Sequence, residues 1–198
     1  MLKPFSQACI NNREFILEQL RPLLNEAKSV LEVGSGTGQH AVYFSDRLPA
    51  ITWQTSDLEE NHKGINAWIA ETGTKNCLMP VTLNVADEQW LPQVFDVVFT
   101  ANSLHIMSWV HVTHFFQKAH RVLSPNGLLI TYGPFNYNGS YTSESNERFD
   151  QFLQASNPEK GIRDIEKINK LAVDNGLQPI ADHAMPANNR LLVWQYQP

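Results

Sequence analysis

The sequence predicts an α/β fold: a seven-stranded, mostly parallel sheet with helices on both faces and an antiparallel last strand. Three observations point there. Strand-like apolar runs alternate with amphipathic helical segments through residue 132, and that rhythm fits a parallel sheet covered on both sides. Residues 30–40, VLEVGSGTGQH, join the first apolar run to a helix through three alternate glycines. The last two strand-like runs follow one another with no helix between them, so they should pair as a hairpin.

Taken in order, residues 12–24 place Ile16, Leu20, Leu23 and Leu24 at helical spacing, with Pro22 expected to end or kink the last turn. Residues 29–33 are a short apolar run closed by Gly34, suited to a buried strand. Residues 38–48 read as a helix through Ala41, Val42, Phe44 and Leu48, and 51–56 alternate as a strand does. A helix over 61–71 turns Ile65, Trp68 and Ile69 inward. Strands follow over 80–85 and 95–100; the latter, FDVVFT, is the clearest central strand. Residues 109–123 form a long helix with Val112, Phe115, Phe116, Ala119 and Leu123 on one side, and 127–132, GLLITY, the next strand. Residues 133–147 read as a long polar loop, a length often associated with function. Helices over 147–155 and 164–174 come next, the second stopped by Asn175-Gly176. Strands over 179–184 and 190–196 close the chain. In such a sheet a ligand belongs at the carboxyl ends of the strands, near the switch in strand order.

At 198 residues the chain suits one well-buried domain, 1–198, with an N-terminal helix region (1–28) and a loop-and-helix insertion near the pocket (133–163). The net charge is −5 and Lys and Arg form no run, which argues against nucleic acid or a membrane surface as partner. Cys9 and Cys77 are far apart and lack metal-ligand spacing, as in a reducing compartment. The first residues have no apolar core of signal-peptide length, and no apolar run approaches the roughly 20 residues of a membrane span. A cytoplasmic protein is expected.

The glycine loop reads Gly34-Ser35-Gly36-Thr37-Gly38-Gln39. A dinucleotide fingerprint wants its third small residue where Gln39 stands, and no Lys follows to make a P-loop. What remains is a turn of bare backbone N–H groups at a helix N-terminus, which favours an anion such as a carboxylate. Glu32, just before it, favours an ammonium. Asp57 stands 19 residues beyond Gly38, where an acidic residue commonly accepts from ribose hydroxyls. An amino acid and a ribose in one crevice suggest S-adenosylmethionine. Each residue also has a plainer use: a tight turn, a strand Glu paired with Lys28, or a helix N-cap at Asp57.

E-V-G-S-G-T-G with S-D-L at 56–58 resembles the first two motifs of the class I S-adenosylmethionine-dependent methyltransferases. The resemblance covers nearly the whole chain and implies a Rossmann-like sheet with six parallel strands and an antiparallel last one. It implies that Gly34, Gly36 and Gly38 pass under the methionine part and that Glu32 faces the ammonium, directly or through water. Asp57 would hold the ribose, and Asn84 and Val85 the adenine end; many relatives carry Asp where Asn84 stands. Ala101 and Asn102 would line the methionine side. A narrower set of motifs resembles the uncharacterised methyltransferase-like 26 family: H-I at 105–106, Y-G-P-F at 132–135, S-N at 145–146, F-D at 149–150, G-I-R-D at 161–164 and M-P-A-N-N at 185–189. The chain departs from that pattern at residues 10–12, where only Asn12 of Glu-Arg-Asn is kept, and at Lys160, where the family has Trp.

Methyl transfer needs an aligned nucleophile and, for O–H or N⁺–H, a base. His105, just after the fourth strand, and Tyr132, at the end of the fifth, are the candidate catalytic residues, although both also suit core packing. The Asn/Asp-Pro-Pro-Tyr/Phe signature of nucleic-acid amino-methyltransferases is absent, Thr-Ala-Asn-Ser standing there instead. His111, His114 and His120 read as a solvated helix face, not a metal site. Asn146, Asp150, Arg163 and Asp164 suit a buried ion-pair network or a substrate contact equally well. The expected function is methyl transfer to a small-molecule or protein acceptor; a cofactor-binding sensor and an NAD-type oxidoreductase are the alternatives.

Overall fold

A computed structural model of the protein describes residues 3–198. Helix α1 (Gln7–Leu23) leads into β1 (Ser29–Val33), α2 (Gln39–Arg47), β2 (Thr52–Asp57), α3 (Glu59–Thr72), β3 (Cys77–Thr82), β4 (Phe95–Ala101) and α4 (Trp109–Ala119). Then come β5 (Leu123–Gly133), β6 (Phe135–Asn136), α5 (Glu144–Ser156), β7 (Arg163–Asp164), α6 (Ile165–Val173), β8 (Leu177–Met185) and β9 (Asn189–Tyr196). The main sheet has seven strands in the order β3-β2-β1-β4-β5-β9-β8. Strands β1 to β5 pair in parallel, and β9 is antiparallel to both neighbours. The predicted architecture and closing hairpin are therefore both present.

Alternate residues of each strand feed two cores, one on each face. Val30, Trp53, Phe99 and Val193 pack with Ile16, Leu20, Phe44 and Ile65 from α1, α2 and α3. Leu31, Val98, Leu129 and Trp194 pack with Val112, Phe116 and Ile168 from α4 and α6. Burial on both faces is what makes β1 and β4 mostly apolar, rather than alternating, runs.

The differences from expectation lie at element ends. Helix α1 starts at Gln7, five residues before the predicted 12, because the Ser6 hydroxyl caps Cys9 N. Pro22 sits in its last turn, and the helix ends one residue later. Strand β3 runs Cys77–Thr82, so Asn84 and Val85 lie in the loop after it. The helix over 109–123 stops at Ala119 and tightens into a 3₁₀ turn at His120–Val122. The stretch 133–147 is not all loop: β6 pairs with β7, and α5 begins at Glu144 with the Ser143 hydroxyl as its cap. Among the described residues, no helix is long and apolar enough to cross a membrane.

Candidate functional site

The order β2-β1-β4 puts the two strand crossovers on either side of β1, and a cavity of about 1000 Å³ opens at the carboxyl ends of these strands. Its floor is the β1–α2 loop. Gly34, Gly36 and Gly38 all have positive φ (75°, 57° and 87°), a geometry that side chains resist. A Cβ on Gly36 would meet nothing within 4 Å, so bare backbone faces the cavity there. Gly34 N and Ser35 N both donate to Ser56 O, tying the loop to the end of β2. Gly38 does not line the cavity: it precedes α2, and a Cβ on it would lie 2.9 Å from Ile65 Cα.

Asp57 lines the cavity at the tip of β2. Its Oδ2 accepts from Gly36 N at 2.7 Å; Oδ1 accepts from Leu58 N and Asn61 Nδ2, each at 2.7 Å. The residue before α3 is Leu58, so Asp57 is not the N-cap that sequence allowed. Glu32 lies outside the lining, 2% exposed, with Oε2 accepting from Ser35 Oγ (3.0 Å) and Trp53 Nε1 (3.1 Å). It is no surface strand residue paired with Lys28. Burial lifts its pKa from 4.5 to about 7, against the pull of those two donors.

Asn84, Val85, Ala101 and Asn102 all line the cavity. Asn84 Oδ1 accepts from Ala86 N at 2.9 Å, a local turn that fixes its side chain. Asn102 sits at φ 58°, with its N–H donating to Tyr132 O. Beyond them His105 and Tyr132 also reach the lining. His105 is 6% exposed, stacks edge-on against Phe149, and makes no side-chain hydrogen bond with a described residue. Burial and the nearby Arg163 cation lower its pKa to about 4, so the ring is neutral at pH 7. Burial raises the Tyr132 phenol, whose hydroxyl lies beside Asn12.

Sequence reasoning missed the contribution of α1. Ser6, Cys9, Asn11 and Asn12 line the cavity with His40 of α2. Asn12 Oδ1 can only accept, so His40 Nε2 donates to it across 2.7 Å, and the bare Nδ1 faces Cys9 Sγ at 3.9 Å. Burial holds His40 near pKa 4 and lifts the Cys9 thiol, so both are neutral. Gln39 Oε1 accepts from Ser6 N (2.5 Å) and its Nε2 donates to Ser6 O, latching this segment over the glycine loop.

The far wall comes from α5 and the β8–β9 turn. Asn146, Phe149, Pro186, Ala187 and Asn189 line it. Of the two readings open for Asn146, Asp150, Arg163 and Asp164, ion-pair network or substrate contact, Asn146 lines the cavity, while the other three sit in hydrogen bonds and not in ion pairs among the described residues. Asp150 accepts from Tyr141 Oη, Gln154 Nε2 and Ile162 N, while Arg163 donates to the carbonyls of Leu104, Met107 and Glu159. Asp164 accepts from Gly139 N. The helix face of His111, His114 and His120 is not simply solvated: His111 is on the cavity rim, and His114 Nδ1 is buried with no partner among the described residues.

This strand order, with a cavity over the first glycine loop, is the fold of the class I S-adenosylmethionine-dependent methyltransferases, as comparison with solved structures shows. An O-methyltransferase family protein from Burkholderia thailandensis superposes at TM-score 0.77 with 17% identity, over 93% of this chain and 58% of its own. An O-methyltransferase family 2 protein from Planctomyces limnophilus, solved with apigenin, gives 0.81 with 16% identity, over 93% and 56%. The S-adenosylmethionine-dependent methyltransferase SibL, in its apo form, gives 0.81 with 18% identity, over 96% and 56%. The chain thus spans somewhat more than half the length of these structures. Over residues 3–196 it matches, and belongs to, the family described as "Protein of unknown function (DUF938)".

Proposed function

We propose that the protein is an S-adenosylmethionine-dependent methyltransferase acting on a small-molecule or protein acceptor. The observation that carries this is the pairing of Asp57 with Gly36. A carboxylate at the tip of β2 is tied to the N–H of a glycine whose other side is open to the cavity, and its Oδ2 keeps a lone pair for a ribose hydroxyl above bare backbone. The cradle fits the cofactor: a Cβ at Gly36 would project into the space that a methionine moiety needs. In this reading Gly34 and Gly36 pass under the methionine part, and Gly38 holds the loop against α3. Glu32 acts on the ammonium through Ser35 or a water. Asn84 and Val85 flank the adenine, and Ala101 and Asn102 line the methionine side. When bound, the cofactor would supply a methyl group on a sulfonium, an electrophile for the acceptor's lone pair. His105 accepts a hydrogen bond from the acceptor hydroxyl, and Tyr132 shapes the same wall. The motifs from His105 to Asn189 further lead us to group the chain with the methyltransferase-like 26 proteins.

Calorimetric titration with S-adenosylhomocysteine, with NADH as control, tests this. Micromolar binding of the first alone is expected; no binding refutes the reading, and NADH binding would favour an oxidoreductase. A second reading, a non-catalytic cofactor sensor, is favoured by the absence of a strong base: His105 is held near pKa 4. Transfer of labelled methyl to any component of a cell extract would eliminate it.

A further inference from the structure

Building on the methyltransferase reading, we infer that the acceptor is a small, uncharged molecule carrying at least two N–H or O–H donors, recognised by the carbonyl oxygens of Asn146 and Asn189. Both amides are locked by their surroundings. Asn146 Nδ2 donates to Thr142 Oγ1 (2.9 Å) and Asn188 O (3.1 Å). Asn189 Nδ2 donates to Pro186 O (3.2 Å) and Ala187 O (3.4 Å). A flipped amide would set oxygen against carbonyl oxygen, so the orientation is forced. Each side chain therefore leaves its own carbonyl oxygen with no donor among the described residues, and both residues line the cavity. Asn146 is 5% exposed as a residue, and its side chain lines the cavity. His105, neutral and without a side-chain partner, adds a further acceptor. A ligand that covers these acceptors without meeting them pays for their lost hydration, which favours a ligand that brings donors.

Charge narrows the class. Among the described lining residues there is no Lys or Arg, and Asp57 is the one carboxylate, at the cofactor end. Arg163, the cation near His105, is outside the lining and donates to the carbonyls of Leu104, Met107 and Glu159, so the wall offers a carboxylate or phosphate no charged partner. An ammonium would meet no counter-charge on this wall and would lie near the cofactor's sulfonium. Size points the same way: about 1000 Å³ is at the upper end of the roughly 300–1,000 Å³ of small-molecule sites, room for the cofactor and one small companion.

The test is ligand-observed NMR on the full chain saturated with S-adenosylhomocysteine. The probes are equal groups of neutral diols and amides, carboxylates, phosphate monoesters and primary amines. Neutral multi-donor compounds should dominate the binders. Asn189→Ala should weaken them about three- to tenfold, the scale of one neutral hydrogen bond, and Asn146→Asp should shift the binders towards amines. Unchanged S-adenosylhomocysteine affinity in both variants shows that the fold is kept. Should Asn146→Asp unfold, Asn189→Ala alone decides. Binders drawn mainly from the anions or amines, no binders at all, or neutral binders indifferent to Asn189→Ala overturn the inference. Failure of S-adenosylhomocysteine to bind would instead overturn the methyltransferase reading beneath it.

Discussion

Asp57 holds its carboxylate in place with three donors, Gly36 N, Leu58 N and Asn61 Nδ2. These bonds orient the group for a ligand, and they also tie the loop after β1 to the tip of β2. Asp57→Ala is expected to weaken S-adenosylhomocysteine by about 1–3 kcal/mol, the scale of a lost charged hydrogen bond, as read by calorimetry. Unchanged affinity would mean that the carboxylate serves the loop alone. The sequence named Asp57 because its distance from the glycines is a local regularity. It could not place Glu32 behind the loop, because that depends on Trp53 from the neighbouring strand donating to the same oxygen. Nor could it find Cys9, Asn12 and His40 together, since a polar first turn of an amphipathic helix carries no motif and only packing lays it over the cavity.

At the scale of elements, β1 and β4 are legible because strands buried on both faces are apolar at most positions. Strand β3 was read three residues late. It is an edge strand with exposed Leu78 and Met79 and with Pro80 in its middle, a proline only an edge tolerates, so neither alternation nor apolarity marks its start. Helices α1 and α5 were read late because serine caps outside the apolar pattern set their first turns. The turn between β1 and α2 is the least forgiving element. Gly38→Ala forces a side chain into φ 87° and against Ile65 Cα at 2.9 Å, so a loss of about 1–3 kcal/mol is expected in urea unfolding. The latch from α1 to α2 yields another prediction. Gln39→Ala leaves Ser6 N and O without their partner and should cost about 1–3 kcal/mol. Hydrogen exchange should accelerate over residues 6–12 and not in β4; protection unchanged over 6–12 would show that the latch does not hold the segment.

For the whole molecule, several buried groups that the fold leaves without an opposite charge shape stability across pH, in opposite directions. His40 and His105 are lowered from 6.5 to about 4 by burial, and half-buried His120 is displaced the same way. The unfolded chain takes up these protons below pH 6.5 while the folded chain refuses them, so stability falls as pH falls through that window. Glu32 works the other way. Its pKa rises from 4.5 to about 7 on burial, so the unfolded chain loses the proton first and stability falls as pH rises from 4.5 to 7. At about 1.4 kcal/mol per unit, that loss is roughly 3 kcal/mol. With two histidines outweighing one carboxyl, these groups together make stability rise up to about pH 7 and stay nearly level above it. Glu32→Gln keeps an acceptor for Ser35 and Trp53 and removes the ionisation. The variant should gain roughly 3 kcal/mol on the wild type between pH 4.5 and pH 8, measured by urea unfolding, and its profile should climb more steeply than the wild type's up to about pH 7. Parallel profiles would mean that Glu32 ionises as freely in the fold as outside it, and that its two hydrogen bonds offset the whole of its burial.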